Sequence, residues 1–138
     1  MTNFQLHAND IPARDEVLRL YDAVGWSAYT NDPEKLMRGL HHSLRVVTAR
    51  ADGRLVGLAR VVGDGETIVY LQDILVLPNM QRTGIGRRLF EAAFSPYTGV
   101  RQHVLITDQE PRQRAFYEAM GFKEIGEADG RAFVRYQH

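Results

Sequence analysis

A chain of 138 residues with 44% hydrophobic and 25% charged residues predicts one globular domain, spanning 1–138, with a sizeable core. Its 17 basic and 17 acidic residues give a formal net charge of zero, which disfavours a nucleic-acid partner. It has no cysteine, which excludes disulfides, thiolate zinc sites and a cysteine acyl relay, and we expect no metal. No signal-peptide pattern and no run of about 18 apolar residues is present, so we expect a cytoplasmic location and no membrane partner.

The first third of the chain predicts a short strand at 3–8 and then two helices. The first helix, at 14–24, places its apolar residues Val17, Leu20, Tyr21 and Val24 on one face. Asp32-Pro33 has the form of an N-cap followed by proline at the first helical position, so the second helix begins there.

Three strands are then predicted in an antiparallel meander. Strands at 44–51 and 55–62 flank Asp52-Gly53, a two-residue hairpin signal. A third strand, at 67–77, follows Gly63-Asp64-Gly65 and ends before Pro78, which cannot donate to a ladder.

The last part predicts a helix at 82–94, an apolar strand at 100–107 buried on both faces, and a helix from Pro111 to about Gly121. A final hairpin at 122–127 and 131–136 flanks Asp129-Gly130. The strand–helix–strand order predicts one parallel crossover. The fold class is therefore α+β, with a mixed, mostly antiparallel sheet of about six to seven strands flanked by four helices.

The turn between the third strand and its helix predicts a phosphate site. Gly84 and Gly86 have no side chains to cover the free N–H groups of the helix N-terminus, and arginines surround them. The P-loop pattern is excluded because Arg87-Arg88 follow the last glycine, and the dinucleotide pattern fails because Leu89 replaces its third glycine.

Gln81-Arg82-Thr83-Gly84-Ile85-Gly86 resembles motif A of the GCN5-related N-acetyltransferases, Arg/Gln-x-x-Gly-x-Gly/Ala. The segment from Ala115 to Phe122, with Phe116, Tyr117 and Gly121, is similar to a second family motif at the expected distance, and the element order matches too. The resemblance implies a domain that uses acetyl-coenzyme A as its acetyl donor.

The resemblance also assigns coenzyme-binding residues. The loop would hold the pyrophosphate, and the strand before it would splay from its parallel neighbour and pair with the pantetheine arm through its backbone. An N–H at Val76 could also polarise the thioester carbonyl. The residues implied are Leu75, Val76, Leu77, Gln81, Arg82, Thr83, Gly84, Ile85, Gly86, Arg87 and Phe116.

Two residues are the catalytic candidates. Tyr117 matches the family's general acid, which would protonate the departing thiolate. Asp73 is the candidate base for the amine, and the alternative is a carboxylate that orders a loop or anchors the substrate. Trp26, Tyr29 and Tyr70 are candidate walls of the acceptor pocket, and packing is the alternative role for the first two.

The expected activity is direct transfer of an acetyl group from the thioester to a primary amine, most naturally that of a small molecule. The alternatives are a protein or peptide N-terminal acetyltransferase and a catalytically silent acyl-coenzyme A sensor. A homodimer is a further expectation, because exposed edge strands invite pairing between copies.

Overall fold

The computed structural model describes residues 3–137, which contain one five-stranded sheet. Its strands are β1 (Gln5–Ala8), β2 (Arg45–Ala51), β3 (Arg54–Gly63), β4 (Ile68–Val76) and β5 (Gln102–Leu105). They lie side by side in chain order, antiparallel from β1 to β4, with β5 parallel to β4. The α+β class and the mixed, mostly antiparallel sheet are thus confirmed.

Five helices accompany the sheet, α1 (Arg14–Ala23), α2 (Ser27–Thr30), α3 (Pro33–His41), α4 (Ile85–Phe94) and α5 (Pro111–Ala119). The Asp32 carboxylate accepts a hydrogen bond from the Lys35 N–H and caps α3, as the sequence predicts. Four helices were expected, and the additional one is the single turn α2. None of the helices described in residues 3–137 has the length and apolar character needed to traverse a bilayer.

Contacts divide the chain into two compact units, Met1–Leu105 and Ile106–His138. The first contains the sheet and α1 to α4, and the second contains α5. In the first unit, α1 and α3 pack on one face of the sheet, where Leu20, Leu40, Leu58 and Leu75 belong to one buried cluster. The opposite face is covered by α4, because Gly57, one residue before Leu58, approaches Ile85 and Leu89.

The final hairpin predicted at 122–127 and 131–136 is wrong, and the number of strands is five rather than six or seven. Ile125–Ala128 forms a 3-10 turn instead, closed by a hydrogen bond from Gly130 N to Ile125 O at 3.1 Å. Glu124 and Glu127 both bind Arg114 of α5, at 3.0 Å each. Alternating apolar residues favour a strand only where a partner strand is available, and here local turn and ion-pair contacts replace it.

Burial of the last strand on both faces is also wrong. β5 extends over only four residues, of which Gln102 is exposed and the other three are partly buried. Its one strand neighbour among the described residues is β4, so it forms an edge of the sheet. An edge strand has a neighbour on only one side, so its apolar residues retain exposure.

Candidate active site

The paired edges of β4 and β5 separate partway along the sheet. Their parallel pairing runs from Ile68 opposite Gln102 to Leu71 opposite Leu105 and ends there, while β4 continues to Val76. The last four residues of β4, from Asp73 to Val76, therefore have a strand partner on the β3 side only. This leaves an opening in the strand pairing, bordered by backbone groups of β4.

Backbone geometry directs one donor into this opening. Leu77 N donates to Val56 O at 2.9 Å, so the backbone groups of Leu77 point towards β3. Because successive residues of a strand direct these groups to opposite edges, the N–H and C=O of Val76 point towards the open edge. The Gln81 side chain donates to Val76 O at 3.2 Å and thereby occupies the carbonyl. The Val76 N–H is the donor presented to a ligand.

The glycine loop leads directly from this strand to α4. Gly84 is the N-cap of α4 with φ of 89°, a left-handed conformation that glycine adopts without strain, and no atom lies within 4 Å of a Cβ built on it. Arg88 N makes the first helical bond, to Gly84 O at 3.1 Å, so the preceding N–H groups are the free donors of the helix end. Aligned peptide dipoles give that end a partial positive charge suited to phosphate.

The remaining residues of the loop hold its shape or frame it. Thr83 Oγ1 donates to Met80 O at 2.5 Å, and Arg82 has a positive φ of 63°. The Arg82 side chain is exposed, whereas Arg87 forms an exposed ion pair with Glu91 at 2.9 Å. Ile85 is fully buried, so only its backbone is available to a ligand.

A close approach of β3 to α4 fixes the position of the helix start. Gly57 lies opposite Val76, and a Cβ placed on it would be 2.8 Å from Leu89 Cδ1 and 3.2 Å from Ile85 Cγ2. A larger residue at this position would require α4, or the side chains of Ile85 and Leu89, to shift. The absence of a side chain at position 57 therefore helps to place the N-terminus of α4 beside the end of β4.

Asp73 lies in a buried polar network and is only 2% exposed. Its Oδ2 accepts hydrogen bonds from Tyr21 OH at 2.8 Å and Arg60 Nε at 2.5 Å, and its Oδ1 accepts one from Tyr29 OH at 3.0 Å. Gln72 in turn donates to Tyr29 OH at 2.9 Å. Both carboxylate oxygens thus have partners, one of which is a full positive charge.

The network depends on an irregularity in the strand pairing. Arg60 pairs with Asp73 and Val61 with Leu71, so Gln72 is an additional residue in β4. Such a bulge re-aims the side chains around it. Here the bulge lies next to Arg60 and Asp73, which carry opposite charges and face each other across the two strands. This pair lies beside the Leu58–Leu75 pair of the core.

Burial and the Asp73 carboxylate perturb the groups around them. Burial, and then the charge of Asp73, raise the pKa of Tyr21 well above its ordinary value and raise that of Tyr29 as well. Desolvation lowers the pKa of Arg60, but the charge of Asp73 and its hydrogen bond outweigh this and the pKa is raised. Both phenols therefore remain protonated donors, and Arg60 remains a cation.

Of the predicted pocket walls, Tyr29 lines a cavity between α2, α3 and β3. This cavity, of about 360 Å³, is lined by Ala28, Tyr29, Asp32, Lys35, Leu36, Gly39 and Arg60. Trp26 packs with its ring 6.0 Å from that of Tyr29 and 5.8 Å from that of Tyr21, which is a packing role. Tyr70 lies elsewhere, between Val62 and Val104 in the sheet.

Tyr117 lies on α5 in the second unit and is 8% exposed. Its ring meets that of Phe116 edge-on at 5.2 Å and lies 6.5 Å from that of Phe122. Burial, and then the carboxylate of Asp108, raise the pKa of Tyr117 to about 12. The phenol therefore keeps its proton at any physiological pH.

Two residues of the network, Arg60 and Tyr21, were not predicted to lie at the site. Tyr21 reads as an ordinary core position of α1, since its helical spacing is the same as that of Leu20 and Val17. Arg60 carries a stronger signal, because it is the one charged residue in the apolar run 55–62, as Asp73 is in 68–77. One cation and one anion in neighbouring buried strands predict a pair, since an isolated buried charge is costly.

Comparison with known proteins agrees with this architecture. The family model described as the acetyltransferase (GNAT) domain matches residues 21–138. The structure of a GNAT family acetyltransferase from Streptococcus pneumoniae TIGR4 has a TM-score of 0.88 and 35% identity, and the alignment covers 98% of each chain. Aminoglycoside N-acetyltransferase AAC(6')-Iy in complex with coenzyme A shares the fold, with a TM-score of 0.72, 19% identity and coverage of 100% of this chain and 96% of that one.

Serotonin N-acetyltransferase 2 of Oryza sativa is 34% identical over 107 residues, which cover 74% of this chain and 54% of that protein. The chain thus spans about half the length of the curated relatives it matches. The family model covers most of the chain, and its motifs lie where the fold places the open edge of β4 and the start of α4. The chain belongs to the GCN5-related N-acetyltransferase (GNAT) family.

Proposed function

We propose that this chain transfers an acetyl group from acetyl-coenzyme A to a primary amine of a small molecule. The observation that carries the proposal is the opening between β4 and β5, with the Val76 N–H facing it and the glycine loop immediately after it. Backbone donors along an unpaired strand suit the amide groups of pantetheine, and a helix N-terminus suits pyrophosphate.

The reaction forms one bond and breaks another. The amine nitrogen attacks the thioester carbonyl, the C–S bond breaks, and the thiolate leaves with a proton from an acid. The Val76 N–H would stabilise the oxyanion that develops on the carbonyl oxygen. An alkyl amine is mostly protonated at pH 7, and deprotonating it costs about 4.6 kcal/mol, the equivalent of about 3.4 pKa units.

Tyr117 is the proposed acid. With a pKa of about 12 it keeps its proton under all conditions of activity. Complete transfer to a thiolate of ordinary pKa, about 8.5, would be uphill by about 3.5 units, or about 4.8 kcal/mol. Proton donation as the C–S bond breaks, rather than before it, keeps this cost within the barrier of an ordinary enzyme.

For Asp73 we propose a positioning role and not that of the base. Its two oxygens already accept three hydrogen bonds, one of them from the Arg60 guanidinium. Fixed in this way, the carboxylate holds Tyr29 and Arg60 at the wall of the cavity described above. The amine then loses its proton to solvent or to another group.

The homodimer is a second element of the proposal. The C-terminal segment leaves Phe133, Val134 and Tyr136 exposed at 90%, 60% and 68%. Large apolar side chains this exposed in one short segment suggest that a second copy covers them. Light scattering on the purified protein should give twice the chain mass, and Phe133→Asp should lower it; a monomer at all concentrations would contradict this element.

The test of the function is an acceptor screen that detects free coenzyme A thiol, with acetyl-coenzyme A binding measured in parallel by calorimetry. The panel contains small amines, including serotonin and an aminoglycoside, and peptides with free N-termini. We expect thiol release with one or more small amines. Release with peptides alone would favour the N-terminal acetyltransferase, and tight binding without release would favour the sensor.

A further inference from the structure

The cavity between α2, α3 and β3 has a charge pattern that bears on the acceptor. The charged residues of its lining are Arg60 and Lys35, which are cationic, and Asp32, which is anionic. The Asp32 carboxylate caps α3 through the Lys35 N–H at 3.3 Å. Asp73 does not line the cavity, so a bound molecule would meet two cationic side chains and one carboxylate at its walls, with the Asp73 carboxylate behind Arg60.

Arg60 is held so that part of its guanidinium remains available. The residue is 7% exposed, its Nε donates to Asp73, and its Nη1 lies 3.4 Å from Ser43 Oγ. Among residues 3–137, no acceptor forms a hydrogen bond with Nη2. Every buried side-chain nitrogen or oxygen in this range has a hydrogen-bond partner, so Nη2 is not one of the buried atoms. Nη2 is therefore not sealed in protein, and it contacts the cavity that Arg60 lines.

Gly39 of α3 allows the helix to pack closely on the guanidinium. A Cβ at position 39 would lie 3.3 Å from Nη1 and 3.8 Å from Nη2 of Arg60. Glycine inside a helix costs about 1 kcal/mol relative to alanine, so its presence here has a local cause. The helix therefore packs tightly on Nη1, and Nη2 is the guanidinium nitrogen without a protein acceptor among residues 3–137.

We propose, resting on the proposed function, that the acceptor carries a carboxylate, which binds to Arg60 and Lys35. Arg60 would supply the N–H groups of Nη2 and Lys35 a mobile charge at the rim, while Tyr29 forms an apolar wall. These are specificity residues, since the carboxylate takes no part in the transfer.

The position of the cavity also constrains the acceptor. Arg60 lies opposite Asp73, three residues before Val76, which corresponds to about 10 Å along β4. The amine of the acceptor must reach the thioester near Val76 while its carboxylate remains at Arg60. An α-amine lies too close to its own carboxylate for this, so the reactive amine lies several bonds away, as in the side chain of lysine.

Two matched pairs of acceptors test these statements. Lysine and cadaverine differ only in the carboxylate, and ε-aminocaproate and norleucine are isomers that differ only in the position of the amine. We expect kcat/KM to be about tenfold or more higher for lysine and for ε-aminocaproate, the effect of one hydrogen bond to a charged group. Equal or faster acetylation of cadaverine would overturn the carboxylate site, and equal rates for the isomers would overturn the spacing.

A variant pair tests the residues. Lys35→Gln should reduce the lysine-to-cadaverine ratio several-fold through KM, Lys35→Arg should restore it, and the matched exposed control Lys123→Gln should leave it unchanged. An unchanged ratio in Lys35→Gln would exclude Lys35.

If the wild-type chain acetylates no amine, the proposed function fails and the carboxylate site is decided by thermal unfolding. Stabilisation by ε-aminocaproate but not by cadaverine, lost in Lys35→Gln, would support the site. The same response to both compounds would overturn it.

Discussion

Replacing Asp73 by asparagine tests whether Asp73 positions its neighbours or acts as the general base. Asparagine keeps the size of the side chain but removes the charge, so the Arg60 guanidinium, with its side chain 9% exposed, loses the carboxylate bound at 2.5 Å. Breaking a buried ion pair from one side costs about 3–5 kcal/mol, because the other charge remains buried without compensation. At roughly 3 °C per kcal/mol for a chain of this size, the midpoint of thermal unfolding should fall by about 10 °C or more.

The assay is urea unfolding of the wild type, Asp73→Asn and the exposed control Asp22→Asn, which should differ from the wild type by less than about 0.5 kcal/mol. Arg60→Met and the double variant complete a cycle. Because the two residues share one pair, we expect their costs not to add, with a coupling of about 2 kcal/mol or more.

A different result is expected if Asp73 is the general base. A general base would leave the free energy of unfolding within about 1 kcal/mol in Asp73→Asn, while kcat/KM lost its rise at basic pH. That combination would refute the positioning role and support Asp73 as the general base.

Three further predictions concern single residues. Gly84→Val places a β-branched residue at φ of 89° and should weaken acetyl-coenzyme A binding at least tenfold by calorimetry; unchanged affinity would remove the loop from the donor site. Gly57→Ala should push α4 away from β3 and cost about 1–3 kcal/mol in urea unfolding, whereas a neutral effect would mean that Leu89 can move aside. Tyr117→Phe should lower kcat with little change in coenzyme affinity, and a normal rate would exclude the acid role. Because the pKa of Tyr117 is raised from 10 to about 12, its contribution to stability is complete below pH 10 and decreases by about 2.7 kcal/mol as the pH rises through 12, a loss that Tyr117→Phe should not show.

Local chemistry made most of the fold predictable. Asp52 and Gly53 have φ of 51° and 77°, as a tight hairpin of this sequence requires, and Asp32 caps the helix that Pro33 begins. These features depend on a few neighbouring residues, so they can be read from the chain. The same is true of the glycine loop, whose proposed role in phosphate binding follows from the left-handed Gly84 and one helix start.

Features that depend on register or on partners could not be predicted. The pairing of Arg60 with Asp73 follows from the additional residue Gln72 in β4, and no local pattern specifies where such a bulge occurs. The close packing of α3 on Arg60 depends on the missing side chain of Gly39, a helix-interior glycine with no turn signal. The prediction of a final hairpin was wrong for a related reason. An alternating sequence does not specify whether a partner strand lies beside it.

Acetyl transfer from acetyl-coenzyme A to an amine must release one thiol for every amine that is acetylated. Its most direct test is a mass balance in a single incubation of the protein with acetyl-coenzyme A and the best acceptor of the screen. Free thiol and N-acetylated amine, quantified by mass spectrometry, should appear in equal amounts and with the same time course. Thiol release without acetylated amine, or no turnover of acetyl-coenzyme A with any amine, would contradict the proposed transfer.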